Sequence, residues 1–480
     1  MKALHCARTA LGVALILIAV TAGADCNSAL MNVGQPGQTP NRVAGPIAFG
    51  NALLASTKIE PASSNAIFVQ LYDENFTPRS NEVRAATASL NGAIALVWNG
   101  SEFALFYQTP QYQLLMQRIG TNGALIGGPI ALLTTHQAGP GQEFDITWDA
   151  TRNTYDILHS YNSYPANGLW LTLVNRDGST AFERLVSLFV GIPATPRLAV
   201  TANGRIGILW VLRDLDMNES LYFALFGSDN QQITALQLSA KGRQPRIATD
   251  GSSFLVAIQV ELSRSSSEMR TIRLDNNARV TQPETLLLPT PGADIAPLAL
   301  MWNPTLGEYA LAYASWQAPF QAIDPDVRLR RIPAGAQPVS DTTLSPSSDF
   351  HRYQTVHYPL VWTGSAYIAV TDRQVNNAPF DSSLLRHCPL LVNAAVDRAI
   401  IETYTGVARL TADASGGTAG YAYTWDFGDT SPTANGRSVT HSYSRNGTYV
   451  VTVTVTDQAG AIRTASTIVH VATPRRRIAR

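Results

Sequence analysis

At 480 residues the chain is long enough for two or more domains. Its 35 Lys and Arg balance 35 Asp and Glu, which argues against a nucleic-acid partner, since such a partner requires a basic face to displace counterions. Only Lys2, Lys58 and Lys241 are lysines, so nearly all the positive charge is arginine.

The first residues read as a secretory signal peptide over 1–24: a basic start (Lys2, Arg8), an apolar run from Ala10 to Ala22, and the small-residue site Ala22-Gly23-Ala24 before Asp25. That run is too short to span a bilayer comfortably. A lipoprotein anchor on Cys26 would need a small residue just before it, where Asp25 stands. The expectation is a mature chain starting near Asp25, without a transmembrane anchor, in an extracellular, cell-surface or periplasmic setting. Residues 25–65 read as an extension or linker.

From residue 66 one phrase, strand then polar turn then strand, recurs six times. It begins at Ile94, Phe144, Arg197, Arg246, Leu298 and Pro359. The residue before each turn is Trp98, Trp148, Thr201, Thr249, Trp302 or Trp362, at spacings of 50, 53, 48, 53 and 60. This period fits a four-stranded propeller blade. Turn tips such as Asn-Gly and Asp-Gly supply the positive φ that tight hairpins need. A second series of turns, beginning at Asp73, Thr121, Arg176, Asp229, Asn276 and Ala334, lies between them. The sixth repeat lacks room for a full second half, so the strand Ile67 to Tyr72 is expected to complete it and close a ring without exposed edges. The prediction is an all-β chain with a six-bladed β-propeller over 66–392.

These repeats resemble the "aWnGxxylvvW" (WNG-type) repeats of secreted bacterial proteins, over about Ala66 to Leu390. The resemblance implies a propeller and attaches no activity. With Cys6 removed in the signal, Cys26 and Cys388 remain, flanking the array. An oxidising compartment favours one disulfide between them, and a bridge closing so long a loop stabilises by about 5 kcal/mol.

Residues 393–472 carry Ala412-Asp413-Ala414-Ser415-Gly416, Trp425-Asp426-Phe427-Gly428-Asp429, His441-Ser442-Tyr443 and the strand from Gly447 to Asp457. They resemble a PKD domain, an immunoglobulin-like β-sandwich. Tyr449, Val451, Val453 and Val455 fall on one strand face and Thr448, Thr452, Thr454 and Thr456 on the other, so one side is core and one is water. Some PKD domains bind calcium in an acidic insertion, but Gly417-Thr418-Ala419-Gly420 stands there, and Asp426 and Asp429 read as turn-capping groups. The basic tail 473–480 reads as a solvated end.

Catalytic and metal patterns do not hold up. Asp214-Leu215-Asp216-Met217-Asn218 opens like a calcium loop, but Glu219 and Leu225 occupy the places that need Gly and Glu. Asp145, Asp149 and Asp156 lie in or beside one hairpin and read as turn or solvent groups. His351 and His357, near Asp349, match no metal signature. No Gly-x-Ser-x-Gly elbow is present. The expectation is no catalytic residue, no metal and no cofactor.

The connection between second and third strands reads as long and variable, which places a binding surface on one propeller face. Its candidate ligand residues are Tyr161, Tyr164, Trp210, Asp214, Asp216, Trp316, Asp324 and Asp326, because rings beside carboxylates stack on sugars or anchor a protein partner. The expected function is non-catalytic binding or adhesion to extracellular polysaccharide or protein, with the PKD domain as spacer or second contact. Rival readings are a polysaccharide- or protein-degrading enzyme with its site on that face, and a structural envelope component.

Overall fold

A computed structural model describes residues 30–32, 43–60, 65–88, 93–133, 143–163, 166–189, 192–214, 218–263, 266–288, 293–317, 326–334, 342–345, 360–373 and 381–473. The chain divides into two units, Ser28–His387 and a second holding Cys388–Arg480. All regular structure among the described residues is β, and no helix there is long and apolar enough to cross a membrane.

Among the described residues the first unit contains seven four-stranded antiparallel sheets. Their innermost strands are Val43–Gly50, Ile94–Trp98, Phe144–Asp149, Ile192–Val200, Gly242–Thr249, Ala293–Asn303 and Leu360–Trp362, and we number the blades 1 to 7 in that order. Each of these strands contacts the next, and Leu360–Trp362 returns to Val43–Gly50, which closes the ring of a β-propeller.

Two features of the ring differ from the sequence reading. The repeat count of six becomes seven sheets, because residues 43–60 are not a linker. Val43–Gly50 and Leu53–Glu60 pair as a hairpin and join Ala66–Tyr72 and Val83–Thr87 in a sheet of their own. Their turn is Asn51-Ala52, both at positive φ (52° and 57°), a tight hairpin geometry reached without the expected glycine. Closure is also made elsewhere: Ala66–Tyr72 stays in blade 1, and Leu30–Asn32 pairs with Asp381–His387 as the outer strand of blade 7.

The recurring phrase has a physical cause. Where a Trp stands before the turn it faces the aromatic after it across the hairpin, as Trp98 with Phe103, Trp148 with Tyr155, Trp302 with Tyr309 and Trp362 with Tyr367. Ring centroids in these pairs lie 4.7 to 4.9 Å apart in tilted or edge contacts, the arrangement aromatic quadrupoles favour. The next residue ties one blade to its neighbour. Asn99 Nδ2 donates to Tyr155 Oη at 2.7 Å, and Asn303 Nδ2 donates to Tyr367 Oη at 2.8 Å. Beneath them Glu102 and Glu308 accept paired bonds from Arg118 and Arg331. Trp98 itself lies over Gly50 of blade 1, where any Cβ would overlap its ring.

The second unit is a sandwich. A three-stranded sheet (Leu391–Val396, Ala408–Ser415, Ser438–His441) and a five-stranded one ordered Ile400–Glu402, Ile462–Ala472, Gly447–Thr456, Ala422–Asp426, Ala434–Asn435 share one core. Val451, Val453, Val455 and Trp425 are fully buried there, and Thr448, Val450, Thr452 and Thr454 lie on the opposite strand face, as the alternation requires. Trp425 Nε1 donates to the Gly436 carbonyl at 3.0 Å, which satisfies the one polar atom of the buried ring.

Candidate binding site at the channel mouth

The innermost strands enclose a cavity of about 360 Å3 on the ring axis. Its wall is mostly aliphatic, with Leu96, Ile146, Leu198, Ile247, Leu298 and Leu360 among its members, and three charged residues break it: Asp145, Arg197 and Arg246.

Prolines aim the two arginines. Pro196 and Pro245 sit where the register of blades 4 and 5 slips, between Ala194 and Arg197 and between Arg243 and Arg246. Proline has no N–H for the ladder, so it belongs in a bulge, and a bulge re-aims the side chain that follows. The residues before these prolines, Thr195 (φ 48°) and Gln244 (φ 45°), hold left-handed backbone, which is costly for a β-branched residue and for any residue ahead of proline. Blade 1 carries the same slip, between Ala44 and Ile47, without a left-handed residue before Pro46, and there the following side chain is Ile47.

Each arginine folds back on its own bulge. Arg197 Nη1 donates to the Pro196 carbonyl at 2.6 Å and reaches Glu143 at 3.4 Å, while its buried Nε has no partner among the described residues. Arg246 donates from Nη1 to the Pro245 carbonyl at 2.9 Å and from Nε to the Leu298 carbonyl at 2.7 Å. It makes no ion pair among the described residues. Burial pushes the Arg246 guanidinium down to about 9, the like charge of Arg197 adds to this, and Glu143 and Asp145 oppose it. Burial likewise raises the Asp145 carboxyl, against the pull of Arg197 and a 2.8 Å hydrogen bond from Leu198 N–H. The solvent role expected for Asp145 is therefore corrected: its carboxyl belongs to the channel wall.

The lining runs along the innermost strands from Asp145, Arg197 and Arg246 to Val200 and Thr249, where the first strands turn into the second. The connections between second and third strands lie at the other end of the ring. Two of those connections are tight hairpins, Ser163 to Ala166 and Ser263 to Ser266, rather than long loops, because the flanking strands run on to meet them. Around them Arg213, Glu219, Arg243 and Glu261 form a chain of ion pairs across blades 4 and 5.

The residues expected on this face separate. Trp210 is buried to 3 % and stacks on Tyr222 at 5.6 Å, so it belongs to the packing of blade 4. Asp214 is exposed, and its carboxylate accepts from Asn218 N–H and side-chain amide, a closed turn. Tyr161 pairs with Gly168, Trp316 with Asp294 and Asp326 with Ser315 along their backbones at this end of the ring. Tyr164, Asp216 and Asp324 lie outside the described residues, as do Asp349, His351, His357 and Cys26. Cys388 is buried. No group of three or more metal-ligating side chains occurs among the described residues.

Arg197 and Arg246 were missed from the sequence because each stands at the start of a repeat phrase and reads as a strand end. A signal was present: a proline precedes each of them by one residue and the turn marker by four or five. Asp156 is a second departure. It is not a solvent group but is fully buried, with Thr154 Oγ1 donating to Oδ1 at 2.8 Å and Oδ2 without a partner among the described residues.

In the second unit Asp426 accepts from Gly428 N–H and Asp429 from Ser431 N–H, each at the turn position read from the sequence. Asp429 also meets His441 Nε2 at 2.8 Å, and His441 stacks on Phe427 at 3.8 Å. Residues 387–472 match the PKD domain family. In this unit the Asp457 carboxylate accepts from Thr418 N–H and holds the Gly-rich loop.

No curated protein matches the chain. Among solved structures it is similar to the SapL1 lectin in complex with α-methyl fucoside (TM-score 0.39, 10 % identity, 64 % of this chain and 97 % of that one). It is similar to the extracellular domain of the hybrid two-component system BT3049 from B. thetaiotaomicron (TM-score 0.40, 9 % identity, 93 % and 58 %). A puromycin-hydrolyzing peptidase from Mycobacterium tuberculosis also aligns (TM-score 0.48, 10 % identity, 81 % and 61 %). The chain spans less than two thirds of the length of the last two.

Proposed function

We propose that this is an exported binding protein whose propeller takes extracellular polysaccharide or protein at the channel mouth, with the PKD unit as spacer or second contact. One observation carries the reading: Arg246 is a desolvated cation with no carboxylate partner among the described residues, set in the wall of an aliphatic cavity. Burying an unpaired charge costs several kcal/mol, and perturbed groups in concave sites mark functional places. Tyr161, Trp316 and Asp326 are proposed as a further contact surface at the other end of the ring.

Export follows from the signal-like first 24 residues. The Cys26–Cys388 bridge belongs to the same proposal. Leu30 faces Leu385 and Asn32 faces Ser383, and the first of these pairs stands four residues after Cys26 and three before Cys388 in the sequence.

A second reading, a polysaccharide- or protein-degrading enzyme, is favoured by Asp145. A carboxyl raised by burial beside a second carboxylate, Glu143, has the chemistry of a general acid.

The test uses residues 25–480 against a panel of insoluble polysaccharides and matrix proteins, with retention and released product measured in the same tubes. Retention without release supports the binding reading. Release that Asp145→Asn abolishes selects the enzyme. Neither retention nor release refutes both.

A further inference from the structure

We propose that Arg197 and Arg246 are a receptor for the carboxylate of an acidic sugar, so that the polysaccharide taken at the channel mouth bears uronate. This rests on reading the mouth as the binding site and adds the chemical class of the ligand.

The fold itself does not call for these arginines. Blade 1 makes the same register slip at Pro46 and fills the following position with Ile47, 1 % exposed. In blade 6 Leu298 follows Pro297 at the corresponding bulge. Among the described residues four blades carry this proline bulge, and the two that follow it with arginine are the two in which the residue before the proline holds positive φ, at Thr195 and Gln244. Strain that persists at a cavity wall signals a constraint other than packing. Here it coincides with the placement of charge.

The two guanidinia are only partly engaged by the carboxylates beside them. The hydrogen bonds of Arg246 end on two backbone carbonyls, and Arg197 meets Glu143 only at 3.4 Å with its Nε left over. Two guanidinia of like charge on neighbouring blades are the arrangement an oxyanion relieves, since planar N–H forks match a carboxylate's two oxygens.

The remaining groups fit a sugar ring better than a peptide. Asp145 and Glu143 offer acceptors to hydroxyl donors beside the cationic pair. Leu198, Ile247 and Leu298 offer apolar surface to ring C–H faces. A volume of about 360 Å3 admits one or two sugar units and no folded segment.

Titration calorimetry on residues 25–480 would use oligogalacturonate, oligoglucuronate and oligomannuronate, each beside its carboxyl-reduced neutral counterpart, with inorganic sulfate and an acetylated aspartyl peptide as further probes. The expected result is that at least one uronate binds ten times more tightly than its reduced form. Arg246→Gln and Arg197→Gln should each weaken it at least tenfold while leaving the thermal transition of the PKD unit unmoved. The wild-type comparison of acid against reduced oligosaccharide decides the matter even where a variant fails to fold. Equal binding of both forms, absence of uronate binding, or preference for sulfate or the peptide overturns the proposal. Retention of neutral polymers or proteins in the wider panel would then still leave the binding reading standing.

Discussion

Replacing Asp156 by Asn should stabilise the propeller at neutral pH and do little in acid. The carboxyl sits fully buried in blade 3 with one oxygen unpartnered among the described residues. Burial lifts it to about 7 from a usual 3.8; the Asp149 carboxylate adds to the rise, and Thr154 and Arg152 oppose it. Because the folded state holds this proton more tightly than the unfolded chain, stability is fully present below pH 4 and declines as pH rises toward 7, after which it is constant. A difference of about 3 pK units corresponds to roughly 4 kcal/mol. The ring unit spans 360 residues; with an unfolding entropy of about 2.1 cal/mol/K per residue, this equals a shift of about 5 °C. The assay is thermal unfolding of wild type and variant from pH 4 to 8. The gap in Tm should be near zero at pH 4, widen to about pH 7 and then level off. His387, which burial lowers to about 4, makes stability fall in the opposite direction below pH 6.5, but both proteins carry it and it cancels. A gap that does not vary with pH, or a variant less stable at pH 8, would refute the reasoning.

Three other outcomes follow from the packing. Ala52→Gly should raise the propeller's Tm by about 1 °C, since Ala52 holds φ 57° and relief of left-handed strain outweighs glycine's entropy by roughly 0.5–1 kcal/mol; a lower Tm would contradict this. Tyr367→Phe removes a buried hydroxyl that accepts from Asn303 and donates to Glu308 at 3.1 Å, so it should cost about 1–3 kcal/mol, or about 1–4 °C, and an unchanged Tm would show that the blade 6 to blade 7 tie is idle. Peptide mapping of residues 25–480 without reductant should recover one linked pair, Cys26 with Cys388. Two free thiols would remove the proposed bridge.

The parts of the fold readable from sequence are those whose partners lie close along the chain. A Trp and an aromatic five to seven residues apart across a turn form one cross-strand pair, so each phrase announces its own hairpin. The PKD unit was legible for the same reason, its Val and Thr alternating along a single strand. Blade 1 was not, because Phe49 stands where later blades carry Trp and Asn51-Ala52 makes the turn without glycine. The channel arginines were hidden more deeply. Their meaning depends on neighbours some 50 residues away on the next blade, such as Leu298 for Arg246, and no local pattern states which end of a strand faces a cavity. Trp210 shows the converse: next to Asp214 in sequence it suggested a surface, while strand alternation sends its ring inward.

Closure of the ring by Leu30–Asn32 sets an order of assembly. Leu30 emerges from synthesis 355 residues before Leu385, its partner in the pair. Blades 1 to 6 are each contiguous in the chain and can form as they appear, while the seventh waits for both ends. Until then Asp381–His387 is an unpaired outer edge that another chain can claim. A product clipped beyond Asn32 stays permanently in that state, so the intactness of three residues, Leu30 to Asn32, governs whether the last blade finishes within one molecule or recruits a neighbour.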